Sequence, residues 1–174
     1  YDLFRRFGIW TAAYSSYCRL WIHVEGDSEA AYYGVYEMIE AIDDKYVKKR
    51  KELFGDHNHN LWKCRWGASL NYNDRNNVSI HVDDDSGANY TYELKSNTEN
   101  FAAAKTQLIE FTKNLTQRTG KDFHDWIASV CDVRLLLRTY AVNVVVGMWD
   151  DYWNNSNNYY IYFNSSDKDN YKFF

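Results

Sequence analysis

The stretch that decides the fold reads AVNVVVGMWDDYWNNSNNYYIY and covers residues 141–162. Its apolar first part predicts the end of a buried helix, and its aromatic last part predicts a β-strand. Between them, a loop holds Asp150 and Asp151 and, several residues later, Asn157 and Asn158. A phosphotransfer loop has this local arrangement, in which an Asp orients or deprotonates the attacking hydroxyl and a downstream Asn binds Mg²⁺.

The residues of this loop leave two interpretations open. Asp-Asp and Asn-Asn pairs are common in turns, and taken alone the pattern favours a turn over a catalytic loop. In the catalytic interpretation, either Asp150 or Asp151 can be the reactive carboxylate. Adjacent carboxylates repel each other, which raises the pKa of one of them unless a metal or another cation is near.

The first half of the chain predicts a helix end, a hairpin, a short helix and a strand. A helix ends at Phe7 before Gly8, and aromatic and β-branched residues predict a hairpin with its turn at residues 25–28. An Asp at position 43 or 44 caps a helix that Gly55 closes. The predicted ranges are 1–7, 13–24 with 31–42, 45–54, and 60–66.

The second half predicts another hairpin, three helices and two final strands. Apolar residues recur at helical spacing from Phe101 to Leu115, and Gly120 is expected to end that unit. Asp132 is a good N-cap for a helix that is apolar on nearly all sides and is therefore expected to be buried. The predicted ranges are 78–82 with 90–94, 98–117, 122–130, 133–146, 159–163 and 171–174. The whole pattern predicts an α+β fold.

Composition narrows the class of protein. Among 174 residues the net charge is −4 and 25% of residues are charged, which argues against a dedicated nucleic-acid-binding protein. The best apolar run, residues 140–148, is too short to span a membrane. Aromatics make up 18% of the chain, which favours amphipathic strands over a carbohydrate-binding surface. Cys18, Cys64 and Cys131 are widely spaced, so we expect buried thiols, although one disulfide is possible.

Several motifs, in the right order, resemble the CotH family of spore-coat kinases. The segment from Ala141 to Tyr162 resembles the family's "AVNVxxGxWD" helix end and "NNYYLY" strand. Earlier segments resemble its "YDLFRxLG", "YYGVYxxxExID" and "GNLYK" motifs: residues 1–8, residues 33–43 with Glu40 and Ile42, and residues 60–63. The resemblance covers nearly the whole chain.

This resemblance implies an atypical protein-kinase-like, two-lobed fold that is truncated at both ends. Residues 1–42 would be the remainder of the small lobe, and residues 43–174 the large lobe through the catalytic loop and the following hairpin. Asp150 would be the catalytic residue, with Asp151 as the alternative. Asn158, or else Asn157, would bind the metal.

The resemblance also implies cofactors, partners and a location. Glu40 and Ile42 would belong to the hinge that meets the adenine of ATP, and Mg²⁺ or Mn²⁺ would be the metal. The substrate would be Ser or Thr of a secreted, cell-surface or spore-coat protein. The alternative is a binding or adhesion module on the same scaffold without phosphotransfer. A phosphate-gripping Lys is expected before Tyr1 and a metal-binding Asp after Phe174, so we expect no phosphotransfer by this piece alone.

Overall fold

The chain forms both helices and antiparallel strands, which is compatible with the predicted α+β class. The structure is a computed structural model that describes residues 1–75, 77 and 91–174. These residues form two units, Tyr1–Ile42 and Asp43–Phe174. The assignment of these ranges to the lobes of a kinase remains a prediction.

The first unit is a short helix followed by the predicted hairpin. Helix α1 (Asp2–Arg6) precedes strands β1 (Ser15–Ile22) and β2 (Ala31–Ile39), which pair antiparallel with Cys18 opposite Tyr36. The Arg5 guanidinium donates a 2.8 Å hydrogen bond to the Ala13 carbonyl, and this contact fixes the helix to the start of the hairpin. The hairpin prediction is confirmed.

The second unit begins with two short helices where the sequence predicts one. Helix α2 (Asp44–Lys49) is capped by Asp43, whose carboxylate accepts from the Tyr46 N–H at 3.0 Å. Arg50 leaves the helical conformation, and α3 (Lys51–Phe54) follows it. The prediction of a single helix over residues 45–54 is therefore wrong. Arg50 is buried with its guanidinium 4.0 Å from the centre of the Tyr46 ring, and this packing accompanies the break.

A three-stranded antiparallel sheet carries the rest of the unit. Strand β3 (Asn60–Cys64) lies between β4 (Tyr92–Leu94) and β5 (Tyr159–Phe163). Residues 76 and 78–90 lie outside the described part, and with them most of the predicted hairpin over 78–94. The predicted strand over 171–174 is wrong in extent, because only Phe173 forms bridges, one to Cys131 and one to Phe163.

Three longer helices contribute side chains to the core that contains this sheet. A 3₁₀ turn (Thr98–Asn100) leads into α4 (Phe101–Gln117), and α5 (Gly120–Val130) and α6 (Val133–Val145) follow. Gly120 begins α5, so the prediction that it ends the preceding unit is wrong. The predicted cap at Asp132 is confirmed, since its carboxylate accepts from the Leu135 N–H at 3.1 Å.

Aromatic side chains fill the core between α4 and the sheet. Phe111 is fully buried on α4, with ring-centroid distances of 5.3 Å to Phe163 and 4.6 Å to Phe173. Trp62 and Leu108 are also fully buried in this cluster. Each such side chain contributes about 1.5–3 kcal/mol of burial free energy. The helical spacing read from the sequence thus identifies the face of α4 that meets the sheet.

A buried amide network joins α4 to the chain after β5. Gln107 Nε2 donates to the carbonyls of Ser165 and Asp167 at 2.7 and 2.8 Å, and its Oε1 accepts from Asn60 Nδ2 at 2.7 Å. Gln107 and Asn60 have no exposed surface. The network holds the turn that follows β5 against the first residue of β3.

A second polar cluster forms around one carboxylate of β4. The side chain of Glu93 is only 3% exposed, and it lies 2.6 Å from Arg65 Nη2 and 2.7 Å from Lys95 Nζ. Burial is the largest single influence and raises the pKa of Glu93. The contacts with Lys95 and Arg65 together outweigh burial, so that this pKa lies below its usual value.

Two expectations about burial are wrong in part. Helix α6 buries Leu135, Val142 and Asn143, whereas Leu137, Val144 and Val145 are 62%, 57% and 83% exposed. A helix that is apolar all round is fully buried only if neighbouring elements cover every face. Within the described residues, neighbouring elements cover only one face of α6. The three cysteines are unpaired; Cys64 and Cys131 are buried as expected, but Cys18 on β1 is half-buried.

Candidate active site

The loop between α6 and β5 folds back on itself through a short helix. Helix α7 (Tyr152–Asn155) lies inside the segment that the sequence predicts as a plain loop. Ser156 and Asn158 on either side of the final turn have φ of 49° and 53°. Asn tolerates this left-handed conformation better than most residues, so the Asn-rich composition fits a tight reversal. The reversal turns residues 155–158 back towards residue 150.

Asp150 is exposed and is held by three asparagine side chains. Its Oδ1 accepts from Asn155 Nδ2 at 3.1 Å and from Asn157 Nδ2 at 3.0 Å, and its Oδ2 accepts from Asn158 Nδ2 at 2.5 Å. These hydrogen bonds stabilise the ionised form and lower the pKa of Asp150, with the largest effect from Asn155, followed by Asn157 and then Asn158. The arrangement presents a fixed, ionised carboxylate to solvent.

Asp151 has the opposite environment, although it is the next residue. Only 3% of Asp151 is exposed. Its Oδ2 accepts from Asn143 Nδ2 at 2.7 Å, and its Oδ1 caps α7 by accepting from the N–H groups of Trp153 and Asn154 at 3.1 and 3.4 Å. Both oxygens of the carboxylate are therefore engaged inside the protein.

The structure brings four of the six predicted site residues together: Asp150, Asp151, Asn157 and Asn158 lie on this one loop. Glu40 and Ile42 belong to the first unit, after β2, and both are half-buried. Glu40 Oε2 accepts from the Tyr14 N–H at 3.1 Å, and the Glu40 N–H donates to the Tyr14 carbonyl at 2.8 Å. These two hydrogen bonds join the chain just after β2 to the chain just before β1. The assigned roles of all six residues remain predictions.

The donor atoms of the loop fit a hard divalent cation. Asn155 Oδ1 accepts from Asn154 Nδ2 at 3.1 Å. In the part of the chain that the structure describes, the Oδ1 atoms of Asn157 and Asn158 have no such partner. Carboxylate and amide oxygens are the ligands that Mg²⁺ and Mn²⁺ prefer. Among the described residues no cluster of three or more His, Cys, Asp or Glu could hold a metal, so a site here needs the amides.

Two residues of the loop environment are absent from the sequence-based prediction. Asn155 lies five residues after Asp150, which is the spacing between Asp and Asn in the kinase pattern H-R-D-x-x-x-x-N, and that spacing could have identified it. Asn143 is a buried amide in the apolar part of α6. The sequence signal that could have identified Asn143 is its position as a polar residue within a run of valines.

The fold and the loop together define a class of protein. An α+β scaffold with an exposed Asp and neighbouring Asn side chains, placed between a helix and a strand, has the local arrangement of a phosphotransfer protein. The family model described as CotH kinase protein matches residues 1–174, the whole chain, and the chain belongs to the CotH kinase family. Its function is therefore kinase-like.

The remaining comparisons add no further relatives. A search of curated proteins and a search of solved structures each gave no significant match. No helix within residues 1–75, 77 and 91–174 has the length and apolar character needed to cross a membrane.

Proposed function

We propose that this chain is the part of an ATP-dependent protein kinase that carries the catalytic Asp and the metal-binding Asn residues, and that the kinase phosphorylates Ser or Thr of secreted, cell-surface or spore-coat proteins. Family membership supports the kinase-like activity. The observation that carries the site assignment is the exposed carboxylate of Asp150 with three amide donors.

The environments of the two acidic residues favour Asp150 as the catalytic one. A carboxylate that aligns a substrate hydroxyl must be reachable from solvent and must keep an oxygen lone pair for that hydroxyl. Asp150 and Asp151 each accept three hydrogen bonds, but Asp150 is exposed whereas Asp151 is only 3% exposed. Solvent access therefore separates the two acids, and Asp151 lacks it.

Asp150 acts in this proposal by orienting the hydroxyl more than by strong basicity. Its lowered pKa keeps it ionised near neutral pH, so it accepts a hydrogen bond from a substrate hydroxyl and holds that oxygen in line. Asn155 fixes the Asp150 carboxylate, while Asn157 and Asn158 also offer their amide oxygens to the metal. Mg²⁺ or Mn²⁺ bound with ATP would neutralise phosphate charge. Positioning of this kind supplies a large part of catalysis in phosphoryl transfer.

The test is phosphotransfer by the natural protein that contains this chain. Labelled γ-phosphate from ATP is followed into a Ser- and Thr-containing protein with Mg²⁺ or Mn²⁺. We expect Asp150→Asn to lower kcat about a hundredfold or more. The matched control is Asp169→Asn, an exposed Asp whose carboxylate lies 3.4 Å from Lys168 Nζ, and it should leave the rate unchanged. Full activity of Asp150→Asn would overturn the assignment.

The hairpin of the first unit favours a second function from another class. Tyr17, Trp21 and Tyr33 are 79%, 59% and 55% exposed on β1 and β2. Exposed aromatic side chains are common in binding surfaces, so a non-catalytic surface or spore-coat adhesion module is the alternative. This alternative predicts that Asp150→Asn preserves the biological role while Trp21→Ala abolishes it.

A further inference from the structure

Asn143 is a buried amide that reaches from α6 to the loop. It is 7% exposed, its Nδ2 donates to Asp151 at 2.7 Å, and its main-chain carbonyl accepts from the Met148 N–H at 2.9 Å. Its Oδ1 is buried with no hydrogen-bond partner among the described residues. Burying a polar group in this way costs free energy. Packing of α6 alone would be better served by Leu or Val at this position.

Asp151 transmits this contact to the residues around Asp150. Its side chain caps α7, and its main-chain carbonyl accepts from the N–H groups of Asn155 and Asn157 at 3.0 and 3.2 Å. These are two of the three asparagines that hold Asp150. The path from α6 to the amides around Asp150 therefore consists of consecutive hydrogen bonds through one buried residue.

Two further contacts close the loop around Asp150. Trp153 Nε1 donates to the Met148 carbonyl at 3.1 Å, and Asn154 Nδ2 donates to the Trp149 carbonyl at 2.9 Å. Helix α7 is thereby tied to the two residues that precede Asp150. With the cap by Asp151, the chain on both sides of Asp150 is fixed to one short helix.

We propose that Asn143 and Asp151 form a positioning pair that sets the conformation of the loop and thus the placement of Asp150 and its three asparagines. Both side chains are buried, at 7% and 3% exposed, so their proposed role is to position Asp150 and not to contact substrate. The effect on catalysis rests on the proposed function of Asp150, whereas the effect on loop conformation does not. The pair explains how Asp150 and the asparagines around it keep one arrangement although their side chains lie at the surface.

The decisive experiment is a reciprocal exchange of the two side chains. Asn143→Asp puts two carboxylates at hydrogen-bond distance, and the two repel each other. Asp151→Asn in the same chain restores a donor and an acceptor with their positions exchanged. Asn also caps helices about as well as Asp, so α7 keeps its cap. We therefore expect Asn143→Asp to be damaging, Asp151→Asn to be milder, and the double variant to recover.

Two readouts separate positioning from general destabilisation. Hydrogen exchange of the backbone N–H groups of Trp153, Asn155 and Asn157 reports the loop in the 174-residue chain. In the natural protein, Asn143→Asp should lower kcat about a hundredfold with little change in the KM for ATP, and the double variant should regain most of it. Asn170→Asp, an exposed site with the same change of charge, is the control and should alter neither readout.

The outcomes are distinct. If folded Asn143→Asp keeps native protection at the three N–H groups, or if the double variant behaves no better than Asn143→Asp, the positioning pair is refuted. If Asn143→Asp fails to fold, recovery of folding and protection in the double variant supports the pair, and no recovery refutes it. If Asp150→Asn is fully active while the exchange experiment succeeds, the proposed function fails and the positioning pair stands.

Discussion

Replacing Gln107 by Met is a direct test of the buried amide network. Met is close to Gln in size and is unbranched, so the substitution removes hydrogen bonds with little change in packing volume. Gln107 makes three such bonds, one from Asn60 Nδ2 and two to the carbonyls of Ser165 and Asp167. All three are lost in the variant, and the turn after β5 loses its attachment to α4.

The cost follows from which partners water can reach. Asn60 has no exposed surface, so its Nδ2 loses an acceptor without gaining water, at about 1–3 kcal/mol. The carbonyls belong to Ser165, which is half-buried, and Asp167, which is exposed, so hydration replaces most of each bond and leaves about 0.5 kcal/mol apiece. We expect a loss of about 2–4 kcal/mol in the free energy of unfolding.

The assay is urea unfolding of the 174-residue chain followed by far-ultraviolet circular dichroism. Thr106→Ala is the matched control, because Thr106 is the preceding residue of α4, is exposed, and donates its hydroxyl to the Ala102 carbonyl at 3.0 Å. Its effect should stay within about 0.5 kcal/mol. In the double variant with Asn60→Leu, the losses should be less than additive by about 1 kcal/mol or more. A Gln107→Met effect no larger than the Thr106→Ala effect would refute the reasoning.

Three further predictions concern charge, thiols and backbone. Because the pKa of Glu93 is lowered in the folded protein, the ionised carboxylate stabilises the fold fully above the ordinary Glu pKa of about 4.3, and this stabilisation is lost as pH falls through the lower folded value. Glu93→Gln should therefore lower the melting temperature at pH 7 by more than near pH 3. An equal decrease at both pH values would contradict this. A maleimide reagent should label Cys18 quickly and the two buried thiols only in denaturant, as counted by intact-mass spectrometry, and fast labelling of all three would be inconsistent with the structure. In thermal unfolding, Gly55→Ala should destabilise the chain by more than Gly120→Ala. Both glycines have positive φ, but of the two added Cβ atoms only that at position 55 meets a neighbour, Asn164 Nδ2 at 3.3 Å. Equal effects of the two substitutions would argue against this close contact.

The elements of the fold were largely predictable because their signals are local. A hairpin turn, a helix cap such as Asp132 and the apolar spacing of α4 all depend on residues close together in the chain. The errors fall where distant packing intervenes. Arg50 interrupts a helix that its neighbours favour, and α6 leaves part of its apolar surface exposed although its composition predicts burial.

The candidate site was predictable in its location but not in its arrangement. Residues 141–162 identify the loop, and the ordered motifs along the chain identify the family, which the family model confirms over residues 1–174. The family motif and the spacing to Asn155 favour Asp150 over Asp151, but the sequence does not show which of the two adjacent acids is exposed. The third amide at Asp150 comes from Asn155, the last residue of helix α7, which the sequence does not predict.

The sequence by itself determined the α+β class, the family and the loop that holds two acids and several asparagines, because these depend on residue type and order along the chain. Only the tertiary structure decided that Asp150 faces solvent among three amides while Asp151 lies buried against Asn143 and caps α7. The physical reason is that solvent exposure and hydrogen-bond partners depend on how the loop folds back between α6 and β5. Two adjacent carboxylates with the same intrinsic chemistry acquire different properties from the groups packed around them.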